Sequence, residues 1–103
     1  MSERIENIKA AVEKRFGGRV RHVKSTPVRD MFKGMVTWEG IVETFDLDLN
    51  PDVQRAYGLM YREGDETRYA TIPETDEINS PEWAVKTFVA SRIQDESHSS
   101  KDI

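Results

Sequence analysis

A chain of 103 residues with a net charge of -4 has room for one small domain and no second core. Its hydrophobic content, 37%, is low for a globular chain, but two Trp, three Tyr and four Phe supply the bulky core material that disordered chains lack. The absence of cysteine excludes a disulfide scaffold, a thiolate zinc site and a cysteine nucleophile together, and is compatible with a reducing compartment.

The start, Met1-Ser2-Glu3-Arg4-Ile5, opens a charged amphipathic segment rather than the basic-then-apolar run of a signal peptide. No stretch approaches ~18 consecutive apolar residues. A cytoplasmic protein without a membrane segment is the expectation. Charge is unevenly spread: residues 1–33 carry nine Lys/Arg against four Asp/Glu, whereas residues 34–103 carry six against fifteen. The acidic remainder disfavours nucleic acid as a partner, because phosphate binding needs an uncompensated basic surface.

The first predicted element is a helix. Ser2 caps it, Glu3 and Glu6 lie at its positive end, Lys14 and Arg15 at its negative end, and Gly17-Gly18 stops it. Ile5, Ile8, Val12 and Phe16 recur at spacings of three and four and form one apolar stripe. Residues 19–28 mix β-branched and basic side chains, and Pro27 restricts them to an edge strand. Arg29-Asp30-Met31-Phe32-Lys33-Gly34 then reads as a connector.

Residues 35–49 carry the strongest strand signal, with Val36, Trp38, Ile41, Val42, Phe45, Leu47 and Leu49 in near alternation around Gly40. A bulge at Gly40 fits better than a turn, since Glu-Gly is a poor hairpin pair. One long, bent central strand follows. Asn50-Pro51-Asp52 ends it, residues 53–62 alternate again, and Glu63-Gly64-Asp65-Glu66 forms a turn. A last strand over residues 67–72 stops at Pro73. Ser80-Pro81-Glu82 places a cap, a first-turn proline and a first-turn acid in order, so a second helix begins there, with Ala84, Val85, Phe88, Val89 and Ile93 as its buried stripe.

This order predicts an α+β domain over residues 1–94: an N-terminal helix, an antiparallel sheet of three to four strands and a C-terminal helix, both helices on one sheet face. Residues 95–103 read as a flexible tail. The two helical stripes should share one core, bringing Trp38, Phe45, Phe88 and Ile93 onto Ile8 and Val12. The other sheet face would carry Thr37, Thr44, Asp46 and Asp48, with Tyr57, Tyr61 and Tyr69 fitting either side.

No catalytic, cofactor or metal site emerges. Asp46-Leu47-Asp48-Leu49-Asn50-Pro51-Asp52 starts like a calcium loop, but Pro51 stands where the loop needs glycine and Tyr57 where it needs a bidentate acid. Outward aspartates at a strand end explain the acids better. His22 is the only histidine besides His98, so a histidine-based mechanism rests on one side chain between Arg21 and Lys24. Gly-x-Ser-x-Gly and phosphate-loop spacings are both missing.

Helix, three strands, helix is also the order of double-stranded RNA-binding domains, and Lys14, Arg15, Arg19, Arg21, Lys24, Arg29 and Lys33 of the basic N-terminal third would carry such binding. The resemblance is topological: the family's Gly-Pro-x-His loop is missing, and the second helix opens Ser80-Pro81-Glu82-Trp83-Ala84-Val85-Lys86 with one lysine. The pattern Trp38-x-Gly40-x-Val42-x-x-Phe45-Asp46-Leu47, followed by Arg55-Ala56-Tyr57, resembles one found in small uncharacterised bacterial α+β proteins. That resemblance spans residues 35–93, implies the same fold and brings no known activity.

The functional expectation is a binding or protein-interaction module, with an enzyme and an RNA binder as rivals. Arg19, Arg21, Lys24, Tyr57 and Tyr61 are its candidate interaction surface. A homodimer through the sheet is expected, from the short chain, the edge strand weakened by Pro27 and more strand aromatics than one core face can hide. An unknown protein or small ligand is the alternative partner.

Overall fold

The computed structural model describes residues 2–101, with side chains through Ile93. The order is α1 (Glu3–Phe16), β1 (Arg19–Phe32), β2 (Met35–Asp48), β3 (Arg55–Glu63), β4 (Glu66–Pro73) and α2 (Pro81–Lys101). The four strands form one antiparallel sheet in the order β1-β2-β3-β4, and both helices contact it. The α+β class and the four strands follow the sequence reading. The tail expected over residues 95–103 falls where side chains lie outside the described residues, although helical backbone continues to Lys101.

The helix ends carry the expected chemistry. The Ile5 amide donates to Ser2 Oγ at 3.4 Å, and Gly17, at φ 72°, donates back to the Glu13 carbonyl at 2.8 Å. At α2 the Trp83 amide reaches Ser80 Oγ at 3.3 Å.

Arg29 to Gly34 is not a connector. β1 continues to Phe32 and turns through Lys33 (φ 52°) and Gly34 (φ 78°), a two-residue hairpin with both central residues left-handed. The signal was weak because the first turn position is a lysine, which seldom adopts that conformation. Nor does Gly40 bulge, for the register runs unbroken from Val28↔Gly40 to Arg29↔Glu39. The irregularities fall instead at Val23, skipped between His22↔Phe45 and Lys24↔Thr44, and at Thr37, skipped between Asp30↔Trp38 and Met31↔Val36.

The expectation of both helices on one face is corrected. Ile8 and Val12 of α1 pack with Val20, Phe45, Leu47 and Ala56, whereas Ala84, Val85 and Phe88 of α2 pack with Val28, Val42, Tyr57, Leu59 and Ile72. Ala56 and Tyr57 are neighbours on one strand and must point to opposite faces, so α1 and α2 sandwich the sheet. The extra residue Val23 switches the parity of β1, which is why Val20 meets α1 and Val28 meets α2. Two cores replace the single one expected: Phe45 joins Ile8 and Val12, Trp38 packs with Phe88, and Ile93 stays half exposed. Thr44, expected on a solvated face, is buried for the same reason.

The sheet is not fully zipped. β2 pairs with β1 along nearly its whole length, but with β3 only where residues 43–46 meet residues 55–58. Beyond that point the β1–β2 and β3–β4 hairpins diverge, and a seam opens between them. Among the described residues no helix is long and apolar enough to cross a membrane.

Candidate functional site

Two places in the described residues concentrate chemistry. The first is Glu43, a carboxylate buried completely under α1. Arg4 Nη1 lies 2.7 Å from its Oε2, His22 Nε2 lies 2.7 Å from its Oε1, and the Ser25 hydroxyl donates to the same Oε1. His22 packs edge-on to Phe45 at 5.4 Å. Burial pushes the Glu43 carboxyl up, but the hydrogen bonds from Ser25, His22 and Arg4 outweigh it and hold the group below its ordinary range.

Serine, histidine and glutamate together suggest a hydrolytic triad, and the geometry is wrong for one. A triad uses opposite ring nitrogens, the acid on one and the nucleophile on the other. Here Glu43 and Ser25 both meet Nε2, at 2.7 and 3.4 Å, and Ser25 is bound directly to the carboxylate. The cluster ties α1 to β1 and β2 instead. The sequence hid it because Arg4, His22, Ser25 and Glu43 lie on three elements, and only the Val23 bulge puts His22 and Ser25 on one face.

The second place is the seam. A cleft of about 590 Å³ lies there, with Trp38, Met60, Tyr61, Phe88, Val89 and Ile93 among its walls. The Trp38 indole lies along β2 over Gly40, where a Cβ would come within 3.0 Å of the ring. Glycine at position 40 thus makes room for the indole rather than for a bulge. Trp38 Nε1 then crosses the seam and donates to the Met60 carbonyl at 3.3 Å. Tyr61 stacks at 4.9 Å on Phe88, and the Arg92 guanidinium sits 4.8 Å over the Tyr61 ring while pairing with Glu63 at 3.2 Å. Beside the cleft, the tip of the first hairpin exposes Met31, Phe32, Met35 and Val36, which are 50 to 72% accessible.

The residues expected to form an interaction surface do not come together. Tyr57 is core: it is 2% exposed and its hydroxyl donates to Glu74 at 3.0 Å. Burial first, then that hydrogen bond, pushes its phenol up to about 12. Tyr61 alone reaches the cleft. Arg19 stands opposite Asp48 in the register, and Arg21 pairs with Asp46 at 3.3 Å, so the basic strand is matched by aspartates across the ladder. Asp46 also holds Arg55 at 2.8 Å, a hydrogen bond that raises the Arg55 pKa. Lys24, opposite Thr44, remains an exposed strand residue.

Asn50 closes the calcium-like run as a turn. Its Oδ1 accepts from the amides of Asp52 and Val53, both at 2.9 Å, and its Nδ2 donates to the Phe16 carbonyl at the end of α1. Among the described residues no group of three or more His, Asp or Glu is placed to hold a metal ion. Comparison with protein-family models, with curated proteins and with solved structures returns no significant match.

Proposed function

We propose that this domain is a protein-interaction module whose docking site is the seam cleft together with the adjoining hairpin tip. The observation that carries the reading is an aromatic cleft of about 590 Å³ whose wall residue Thr37 adjoins a hairpin tip with four exposed apolar side chains, two on each face. Exposed apolar side chains near a concave aromatic wall mark a partner site. Against the enzyme rival stands the ring geometry at His22, and against the RNA rival the aspartates facing Arg19 and Arg21.

Of the three grounds for a homodimer, the surplus of strand aromatics falls away with a helix on each face, whereas the short chain and the Pro27 edge strand stand. The hairpin tip is the surface a second copy would use.

Photo-cross-linking tests the reading. A benzophenone side chain at Met60 or Val36, exposed to extract of the cells that make the protein, should yield one common adduct, lost on Ile93→Glu and not formed from exposed Glu13 on α1. Active cross-linkers at both positions with no adduct of their own would remove the proposal.

A further inference from the structure

The outer edges of the sheet are guarded, while its inner seam is not. On β1 the free edge carries Pro27, the Val23 bulge and a run of charged side chains, three devices that block strand pairing. On β4 the Arg15 guanidinium donates to the Thr71 carbonyl and, at 3.1 Å, to the Thr71 hydroxyl, so a side chain occupies the edge.

At the seam the backbone is open on both sides. The Leu47 amide donates to the Gln54 carbonyl at 2.9 Å, which fixes the alternation: residues 47, 45, 43, 41 and 39 of β2 turn their amides and carbonyls towards β3, and residues 54, 56, 58, 60 and 62 turn theirs towards β2. Ladder pairing stops at Glu43↔Gly58. Glu39, Ile41, Met60 and Arg62 therefore present main-chain groups across the seam without a strand partner. The Trp38 indole crosses to one of them, at a length above the usual 2.9–3.0 Å.

We propose that an extended segment of a partner protein adds as a strand to β3 at Met60 and Arg62, displacing the Trp38 indole from the Met60 carbonyl. The proposal rests on the interaction-module reading and names its ligand. Side chains of an added strand alternate between the faces. On the α2 side they meet Trp38, Tyr61, Phe88, Val89 and Ile93 and must be apolar.

On the other side they meet the half-exposed apolar side chains of Ile41 and Met60 together with Glu39 and Arg62. Glu39 is neutralised by Arg29 at 2.8 Å, whereas among the described residues Arg62 forms no ion pair and reaches only the Asp65 carbonyl at 3.4 Å. The partner strand is therefore apolar on the α2 face and carries an acid against Arg62 on the other.

The experiment uses the full chain with Trp83→Phe, which leaves Trp38 as its single tryptophan. A displayed library of random twelve-residue peptides is selected on this protein, and the binders are resynthesised. Expected are sequences with apolar residues at alternate positions and an acid between them against Arg62, which shift Trp38 emission, weaken at least tenfold when the amides facing β3 are N-methylated but not when the intervening amides are, and weaken at least fivefold against Arg62→Glu.

Binders that shift Trp38 yet ignore N-methylation would overturn strand addition and leave the cleft as a docking site. Basic binders would overturn the charge assignment. A failure to recover any peptide that shifts Trp38 below 1 mM, or a concentration-dependent dimer that buries Trp38, would overturn the proposal itself.

Discussion

Gly58 of β3 lies against Ile8 of α1 so closely that a Cβ at position 58 would overlap the Ile8 Cγ2 methyl and stand 3.6 Å from Val12 Cγ2. The missing side chain sets how near α1 comes to the sheet, and with it the burial of Glu43. Overpacking of this kind costs about 1 to 3 kcal/mol, so Gly58→Ala should lower stability by that amount in urea unfolding. Combining it with Ile8→Ala, which removes the Cγ2 methyl, should cost less than the two single changes added together, because the clashing atom is gone. Strict additivity would mean that the helix simply moves away.

Glu43→Gln should cost about 3 kcal/mol at neutral pH, since it leaves Arg4 and His22 without their buried counter-charge. The folded pKa of Glu43 lies below its ordinary 4.5, so its stabilisation is complete above that pH and is lost as pH falls through the lower folded value. Chemical denaturation from pH 7 to 3 should show the gap between the native chain and Glu43→Gln closing below about pH 4.5. A constant gap would assign the loss to packing.

Tyr57 works in the opposite direction. Its phenol ionises near 10 in the unfolded chain and at about 12 in the folded one, so its contribution is complete below pH 10 and disappears as pH rises towards 12. Two units amount to about 2 to 3 kcal/mol. Tyr57→Phe should flatten the alkaline branch of the stability profile, and an unchanged branch would mean that the phenol is not held buried against Glu74 in solution.

Gly40→Ala should move the Trp38 indole, because the ring stands 3.0 Å from the position of the new methyl, closer than ordinary van der Waals contact. In a Trp83→Phe background the emission of Trp38 should shift to the red and the protein should lose about 1 kcal/mol or more. Emission identical to that of the glycine protein would show that the ring does not lie on position 40.

Duplex RNA should bind more weakly than micromolar at physiological salt, with no further loss on Arg21→Ala, since Asp46 already holds that guanidinium. Micromolar binding with a steep salt slope would put the basic strand back in play.

Local signals were enough to determine the chain of elements. The caps at Ser2 and Ser80, the stops at Gly17 and Pro73, and the alternation through Phe45 and Leu47 each act within a few residues, and each was legible as helix end, strand or turn. The face that each helix covers was decided by tertiary structure. It depends on strand parity, and one unpaired residue at Val23 reverses that parity in β1 with no mark in composition.

The same limit hid the buried cluster and the seam. Arg4, His22, Ser25 and Glu43 meet only after β1 has bulged and α1 has settled against Gly58. Trp38 and Gly40 were visible as a pair of strand residues, but that the ladder stops at Glu43↔Gly58 and leaves the indole to span the gap depends on how two hairpins diverge in space. Periodicity reports which residues share a face of one strand; the distance between neighbouring strands is set by what packs above and below them.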